Sequence, residues 1–215
     1  MDEDAYSKVD NFFRQFKHQI YKKGELLIRA DDDPTGIFYL KVGIVKMYLI
    51  SQKGEEIVLN TFKPISFFPM SWAINSKTNE YFYEAVTELS VWRAPKDEVI
   101  AFIKSEPDVL YDLLSRVYKG TDGLLLRMRY LMAGSAYSNL ILELIINAKR
   151  FGKEINGQIF LKVSEKDLAA QTGMARETVS REMKTLKDKG LVSFQKNTIA
   201  INALNRLEEE LSKIV

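Results

Sequence analysis

The stretch Thr172-Gly-Met-Ala-Arg-Glu-Thr-Val-Ser-Arg-Glu-Met-Lys184 decides how the C-terminal part of this chain folds. Gly173 permits a tight reversal between two helices. Val179, Met183 and Leu186 then recur at spacings of four and three, which gives the second helix one apolar stripe. Its opposite face keeps Arg176, Glu177, Ser180, Arg181 and Lys184. Upstream, Ser164 is placed to cap a first helix running through Asp167 to Gln171, with Asp at the third position where Glu is usual. Leu168 and Ala169 supply the apolar side of that helix. Downstream, Gly190 suits the position just past a helix end, and residues 191–194 and 198–201 read as two short strands around Gln195, Lys196 and Asn197. Helix, turn, helix and hairpin in that order predict a winged helix-turn-helix.

Such a helix face has a specific use. An arginine can give two hydrogen bonds to guanine O6 and N7, and a glutamate can accept from cytosine N4, so Arg176, Glu177 and Arg181 together suit G·C pairs in a major groove. Ser180 is small enough to let the helix come close. Lys184 and Lys187, with Thr178 and Lys196, are placed to meet phosphate, which positions a protein without reading sequence. The competing reading is a solvated charged face, and the turn and hairpin around it favour the DNA-reading one.

Laid out this way, the segment from Val163 to Ile201 resembles the DNA-binding end of the Crp/Fnr family of bacterial transcription regulators. Arg176-Glu-Thr-Val-Ser-Arg181 follows that family's recognition-helix pattern almost residue for residue. The resemblance implies that Arg176, Glu177 and Arg181 contact bases, and that a homodimer reads double-stranded DNA at a palindromic operator with TGTGA-like half-sites. It also implies RNA polymerase as a protein partner. Arg176 resembles the catabolite-activator branch whereas Ser180 resembles the Fnr branch, and the half-sites of the two differ at the base these positions help to choose. Ala175 is a poorer helix cap than the Ser often found there, which leaves Thr172 or water to satisfy the first amides.

Composition sets bounds on the rest. A chain of 215 residues allows one or two domains with real cores. The net charge of +2 does not by itself argue for nucleic acid, but its distribution is informative. Residues 139–201 hold eleven Lys and Arg against seven Asp and Glu, whereas residues 1–60 hold nine against ten. The absence of cysteine removes disulfides, thiolate catalysis and Fnr-type iron–sulfur sensing. No apolar run is long enough to span a bilayer and no secretory N-terminus is evident, so a soluble, cytoplasmic protein is expected. With one His, no glycine-rich phosphate loop and no metal-ligand spacing, neither a catalytic nor a metal site is expected.

The N-terminal half reads differently. Residues 26–29, 37–40, 44–50 and 57–62 are rich in β-branched and aromatic side chains, punctuated by Gly24, Gly36, Gly43 and Gly54, and residues 84–92 add another strand. Evenly spaced short strands predict a small barrel or roll, making the whole an α+β fold. In the family resemblance these segments correspond to a cyclic-nucleotide-binding-like β-roll, carried by Gly24-Glu25, Phe38-Tyr-Leu-Lys-Val-Gly43 and Gly54-Glu55.

A nucleotide-binding roll of that kind holds phosphate with a Gly-Glu pair and then an Arg followed by a small hydroxyl residue. Here Phe68-Pro69 and Asn79-Glu80 occupy those places. Pro69 has no amide hydrogen to donate and Glu80 repels an anion, so cAMP is not expected as an effector. Leu124 and Leu125 fall where the long helix would supply a polar contact to the base. What remains is a candidate pocket for an apolar effector, made of Phe67, Phe68, Met70, Trp72, Tyr81 and Tyr83 with Leu124 and Leu125. The alternative is that the aromatics pack the roll and fill the space. Haem, also found in this family, would need Met70 or His18 as a ligand; His18 reads as part of a Phe-rich N-terminal helix.

Between the halves, Pro107 to Met132 reads as one long helix. Leu110, Leu114, Val117, Thr121, Leu124, Met128 and Leu131 alternate at spacings of four and three, the seam of a two-stranded coiled coil and the natural dimer contact. Leu113, Leu125 and Met132 form an adjacent stripe expected to pack on the roll. Gly120 and Gly123 each weaken the helix by about 1 kcal/mol relative to Ala and mark either a bend or a close helix approach. Small residues at 133–136 suggest a hinge, and residues 139–150 a helix burying Leu140, Leu144 and Ile145. The expected organisation is a β-roll sensor over 1–106, a dimerisation helix over 107–133 and a winged helix-turn-helix over 134–215. The expected function is DNA-binding transcription regulation, the alternative a ligand-sensing module whose output is a protein contact.

Overall fold

In the computed structural model, which describes residues 3–195 and 198–214, helix α1 (Glu3–Phe13) is followed by strands β1 (Lys17–Tyr21), β2 (Leu26–Ile28), β3 (Ile37–Val42), β4 (Val45–Ile50), β5 (Glu56–Phe62) and β6 (Ser66–Phe68). Helix α2 (Met70–Asn75), strands β7 (Phe82–Ala85) and β8 (Leu89–Ala94), and helix α3 (Lys96–Ser105) lead to the long helix α4 (Pro107–Ala133). Then come α5 (Ala136–Phe151), the hairpin β9 (Lys153–Ile155) and β10 (Gln158–Leu161), helices α6 (Glu165–Thr172) and α7 (Arg176–Asp188), strands β11 (Val192–Gln195) and β12 (Thr198–Ile201), and α8 (Leu204–Ser212). The chain divides into two units, one reaching Lys119 and the other starting at Gly120, so the division falls inside α4.

The first unit is built on two antiparallel sheets of four strands, ordered β1-β8-β3-β6 and β2-β7-β4-β5. Side chains alternate across a strand, and in β3 both faces are buried. Phe38 and Leu40 point into the space between the sheets with Val45, Phe68, Tyr83, Ala85, Leu89 and Val91. Ile37 and Tyr39 point the other way, onto Val9 and Phe13 of α1 and Val99 and Ile103 of α3. That second layer explains why residues 37–40 read as a continuous apolar run rather than an alternating one.

Two expectations need correction here. Residues 84–92 are not one strand: β7 pairs with β2 and β4 in one sheet, while β8 pairs with β1 and β3 in the other. The chain changes sheets at residues 86–88, where the Val86 amide donates to the Ile44 carbonyl at 2.8 Å and the Ile44 amide donates to Thr87 Oγ1 at 3.0 Å. His18 is also not helical. It lies on the edge strand β1, opposite Trp92 in the pairing with β8, and its Nε2 is 2.8 Å from Ser90 Oγ.

The turn that meets this switch depends on Gly43, which has φ 100° and whose added Cβ would lie against the Glu88 carbonyl oxygen. Gly54 has φ 80° but open space around the same position. Gly43→Ala is therefore expected to destabilise the roll by roughly 2–4 kcal/mol, and Gly54→Ala by about 1–2 kcal/mol. Both tryptophans of the chain, Trp72 and Trp92, sit in this unit, so denaturation followed by tryptophan fluorescence reads the difference directly.

The second unit is centred on α5, whose Leu140, Ile141 and Leu144 are fully buried against Leu168 of α6, Val179, Met183 and Leu186 of α7, and Leu207 and Leu211 of α8. Its sheet runs β11-β12-β10-β9. The β9–β10 hairpin turns through Asn156 and Gly157, both left-handed at φ 51° and 78°, as a two-residue primed turn requires. The C-terminal part of α4 belongs to this core through Tyr130, which is only 6% exposed. At the α4–α5 junction, Ser135 caps α5 reciprocally with Ser138, and an added Cβ at Gly134 would collide with Ser138 Oγ and the Tyr130 carbonyl. Small residues stand there because the backbone packs closely.

The α4 residues read from sequence as a dimer seam are exposed, with Val117 at 63%, Leu124 at 59% and Leu131 at 64%. Of the adjacent stripe, Leu113 packs on the core beside α1 and α3. Leu125 and Met132 are exposed at 58% and 81%. A Cβ at Gly120 or Gly123 meets nothing within the chain.

Candidate nucleic-acid interface

Local sequence positions α7 closely. Ser164 accepts the Asp167 amide at 3.1 Å and the Asp167 carboxylate accepts the Ser164 amide at 2.9 Å, so Asp closes the capping box in place of Glu. Gly173 ends α6 in the left-handed conformation at φ 69°. At the far end of α7, the Gly190 amide donates to the Lys187 carbonyl and the Leu191 amide to the Leu186 carbonyl. With Gly190 left-handed and Leu186 and Leu191 both buried, this is a Schellman ending with its hydrophobic contact. The helix is thus fixed at both ends and along its buried stripe of Val179, Met183 and Leu186, none of which is exposed at all.

The outward face carries Arg176, Glu177, Ser180, Arg181, Lys184 and Lys187 in the open, with Thr178 half-buried at the edge. Ala175 has extended backbone at the start of α7 and no side chain caps the helix. Thr172 does not take that role: its hydroxyl donates to the Leu168 carbonyl at 2.7 Å and so belongs to α6. Two neighbours were not singled out from sequence. Glu182, largely buried, accepts from Arg181 Nε at 3.1 Å and so biases where that guanidinium points. Phe194 on β11 is 42% exposed with Lys187 Nζ 6.0 Å above its ring, which draws that lysine toward the wing. Lys196, read from sequence as a phosphate contact, and Asn197 lie outside the described residues.

Of the residues grouped as an effector pocket, those of the first unit divide between two cores. Phe67 and Phe68 are neighbours on β6 and so face opposite sides. Phe67 joins the layer under α1 and α3, with Met70 and Trp72 packed against the same cluster. Phe68 and Tyr83 lie between the sheets, where Tyr81 packs at the margin. Inside the roll, Phe68 and Tyr83 stack with centroids 5.2 Å apart and planes 5° from parallel, and Phe62 adds a ring 4.8 Å from Phe68. Burial pushes the Tyr83 hydroxyl well above the ordinary phenol range. Leu124 and Leu125 are exposed on α4. Asn79 is buried and structural: its Nδ2 donates to the carbonyls of Arg29 and Tyr81, both at 2.8 Å. Among the described residues no cluster of His, Cys, Asp and Glu could hold a metal ion, and no helix is long and apolar enough to cross a membrane.

With that geometry in place, comparison with known proteins gives two matching family descriptions. Residues 18–106 match a cyclic nucleotide-binding domain and residues 138–210 a Crp-like helix-turn-helix domain. The chain is similar to a global nitrogen regulator of Nostoc sp., 24% identical over 192 residues that cover 86% of this chain and 84% of the relative. Among solved structures, a CooA variant from Carboxydothermus hydrogenoformans superposes with a TM-score of 0.78 at 19% identity, covering 94% of this chain and 90% of that one. A CRP/FNR-family transcriptional regulator from Thermus thermophilus gives 0.76 at 21% identity, covering 92% and 98%.

Proposed function

Because the chain belongs to the Crp/Fnr family of transcription regulators and carries its helix-turn-helix DNA-binding domain, we propose that it works as a homodimer that reads an inverted repeat with TGTGA-like half-sites and alters transcription by RNA polymerase nearby. The observation that carries this reading is the exposed face of α7, where Arg176, Glu177 and Arg181 stand clear of a fully buried stripe. Dimerisation is supported by the exposed apolar seam of α4 and by the open space over Gly120 and Gly123, which lets a second helix approach closely. A two-fold pair of reading helices sits about one turn of DNA apart, hence an inverted repeat.

This reading assigns the roll no cyclic nucleotide. Stacked Phe62, Phe68 and Tyr83 occupy the space between the sheets, Pro69 offers no amide, and Glu80 is an exposed carboxylate where an anion would need a cation. An apolar effector remains compatible with that aromatic lining only if the stack opens, so DNA binding is proposed to need no cyclic nucleotide.

Selection of bound duplexes from a random DNA pool, with purified protein and no added nucleotide, tests both parts. Enrichment of an inverted repeat whose half-site carries G·C pairs opposite Arg176 and Arg181 is the expected result. Enrichment of no sequence under any condition would favour a protein-contact output instead. Enrichment that appears only after cAMP is added would overturn the closed-roll reading alone.

A further inference from the structure

Within the second unit a partly buried polar chain links the last turns of α4 to the first helix of the helix-turn-helix. Arg127 grips Glu143 of α5 with two parallel bonds, Nε to Oε2 at 3.1 Å and Nη2 to Oε1 at 3.0 Å. The Glu143 side chain is only 6% exposed. Asn147, one turn further along α5 and equally buried, donates from its Nδ2 to the Glu143 backbone carbonyl at 2.8 Å and to Gln171 Oε1 at 2.9 Å, with Glu143 Oε1 at 3.2 Å from the same nitrogen. Gln171 is the penultimate residue of α6, two positions before the Gly173 turn into α7.

We propose that Arg127 and Glu143 are positioning residues for DNA reading, setting the end of α6 through Asn147 and Gln171 so that the placement of the α4 helix biases the Gly173 turn and α7. The inference rests on the DNA-reading role given above. Two considerations carry it. An ion pair whose carboxylate is buried adds little stability beyond what apolar side chains of the same volume give, yet it tolerates few geometries. A forked guanidinium–carboxylate contact fixes both partners in one plane, which a single-point contact does not. Arg127 also follows Leu124 by three residues and precedes Met128 by one, so it sits beside the seam proposed for the dimer. Nearby Arg150 adds a second positive charge around the same carboxylate: burial first, and then the charge of Arg127, lower its pKa, while Glu143 opposes them.

The test uses the full chain and two mild substitutions, Arg127→Lys, which keeps the charge and loses the fork, and Gln171→Ala, which cuts the α6 end without stranding a buried charge. Amide hydrogen exchange in α6, measured without DNA, is expected to rise about tenfold in Arg127→Lys, with α8 unaffected. Affinity for the selected DNA site is expected to fall by about tenfold, and the effect of Arg127→Lys on both readouts to shrink severalfold in the Gln171→Ala background, since contacts in one network are not additive. Unchanged exchange in α6, or additive effects of the two substitutions, overturns the proposal. Should the exchange result hold in a protein that selects no DNA sequence, the coupling stands and the DNA-reading role falls.

Discussion

Glu in place of both Leu124 and Leu131 is expected to turn the dimer into a monomer and to lower affinity for an inverted repeat by about 10²- to 10⁴-fold, the range lost when two linked binding events become separate. The two leucines lie seven residues apart on α4 and are exposed at 59% and 64%, so neither supports the core of its own unit. In a two-stranded seam, however, the substitution would bring four carboxylates from two copies into an apolar contact, where burying unpaired charge is prohibitive. Sedimentation analysis at a concentration where the parent protein is dimeric gives the decisive reading. A monomer that still binds one half-site weakly, with an intact thermal transition, is the expected outcome. A dimer of unchanged affinity would mean that another surface joins the copies and that the exposed seam has a different partner.

The parts of this fold visible in sequence are those whose signals are local. Ser164 with Asp167, Gly173, the stripe Val179-Met183-Leu186 and Gly190 each act within a few residues, and each is found where its chemistry placed it. Helix α4 is equally plain, because a seam with period 3.5 has few other meanings. What escaped depends on distant partners. The apolar pattern runs through residues 84–92 without Gly or Pro, so nothing local marks the change of sheet that Gly43 and Ile44, some forty residues away in sequence, meet at residues 86–88. Likewise Phe67 and Phe68 read as one aromatic cluster until strand alternation assigns them to different cores. Asn156-Gly157 is a different case. A primed turn between Lys153–Ile155 and Gln158–Leu161 has a local signal in that dipeptide, and it joins two of the four strands of the second unit's sheet. The spacing of Leu204, Leu207 and Leu211 similarly announces α8, which Glu210 ties to Tyr137 and Lys189.

Arg176→Ala is expected to cost roughly 1–3 kcal/mol of specific binding, about 5- to 150-fold in affinity, and to relax selectivity at one base pair of each half-site. The side chain is exposed on the first turn of α7 and belongs to no core, so thermal stability should stay within about 0.5 kcal/mol of the parent. That separation makes the affinity loss interpretable as a lost contact rather than a damaged domain. Lys184, one further turn beyond Ser180 on the same face, provides the control: Lys184→Ala is expected to weaken binding to every duplex alike and to reduce the slope of log K against log salt by about one. The neighbouring Ser180 sharpens the test, because it leaves room for Arg176 to reach more than one base edge. Binding measured against half-sites varied at a single position at a time assigns the base. If Arg176→Ala lowers affinity equally for all variants while changing the salt slope, the arginine holds phosphate, and the reading of sequence must pass to Glu177 and to Arg181, whose guanidinium Glu182 already orients.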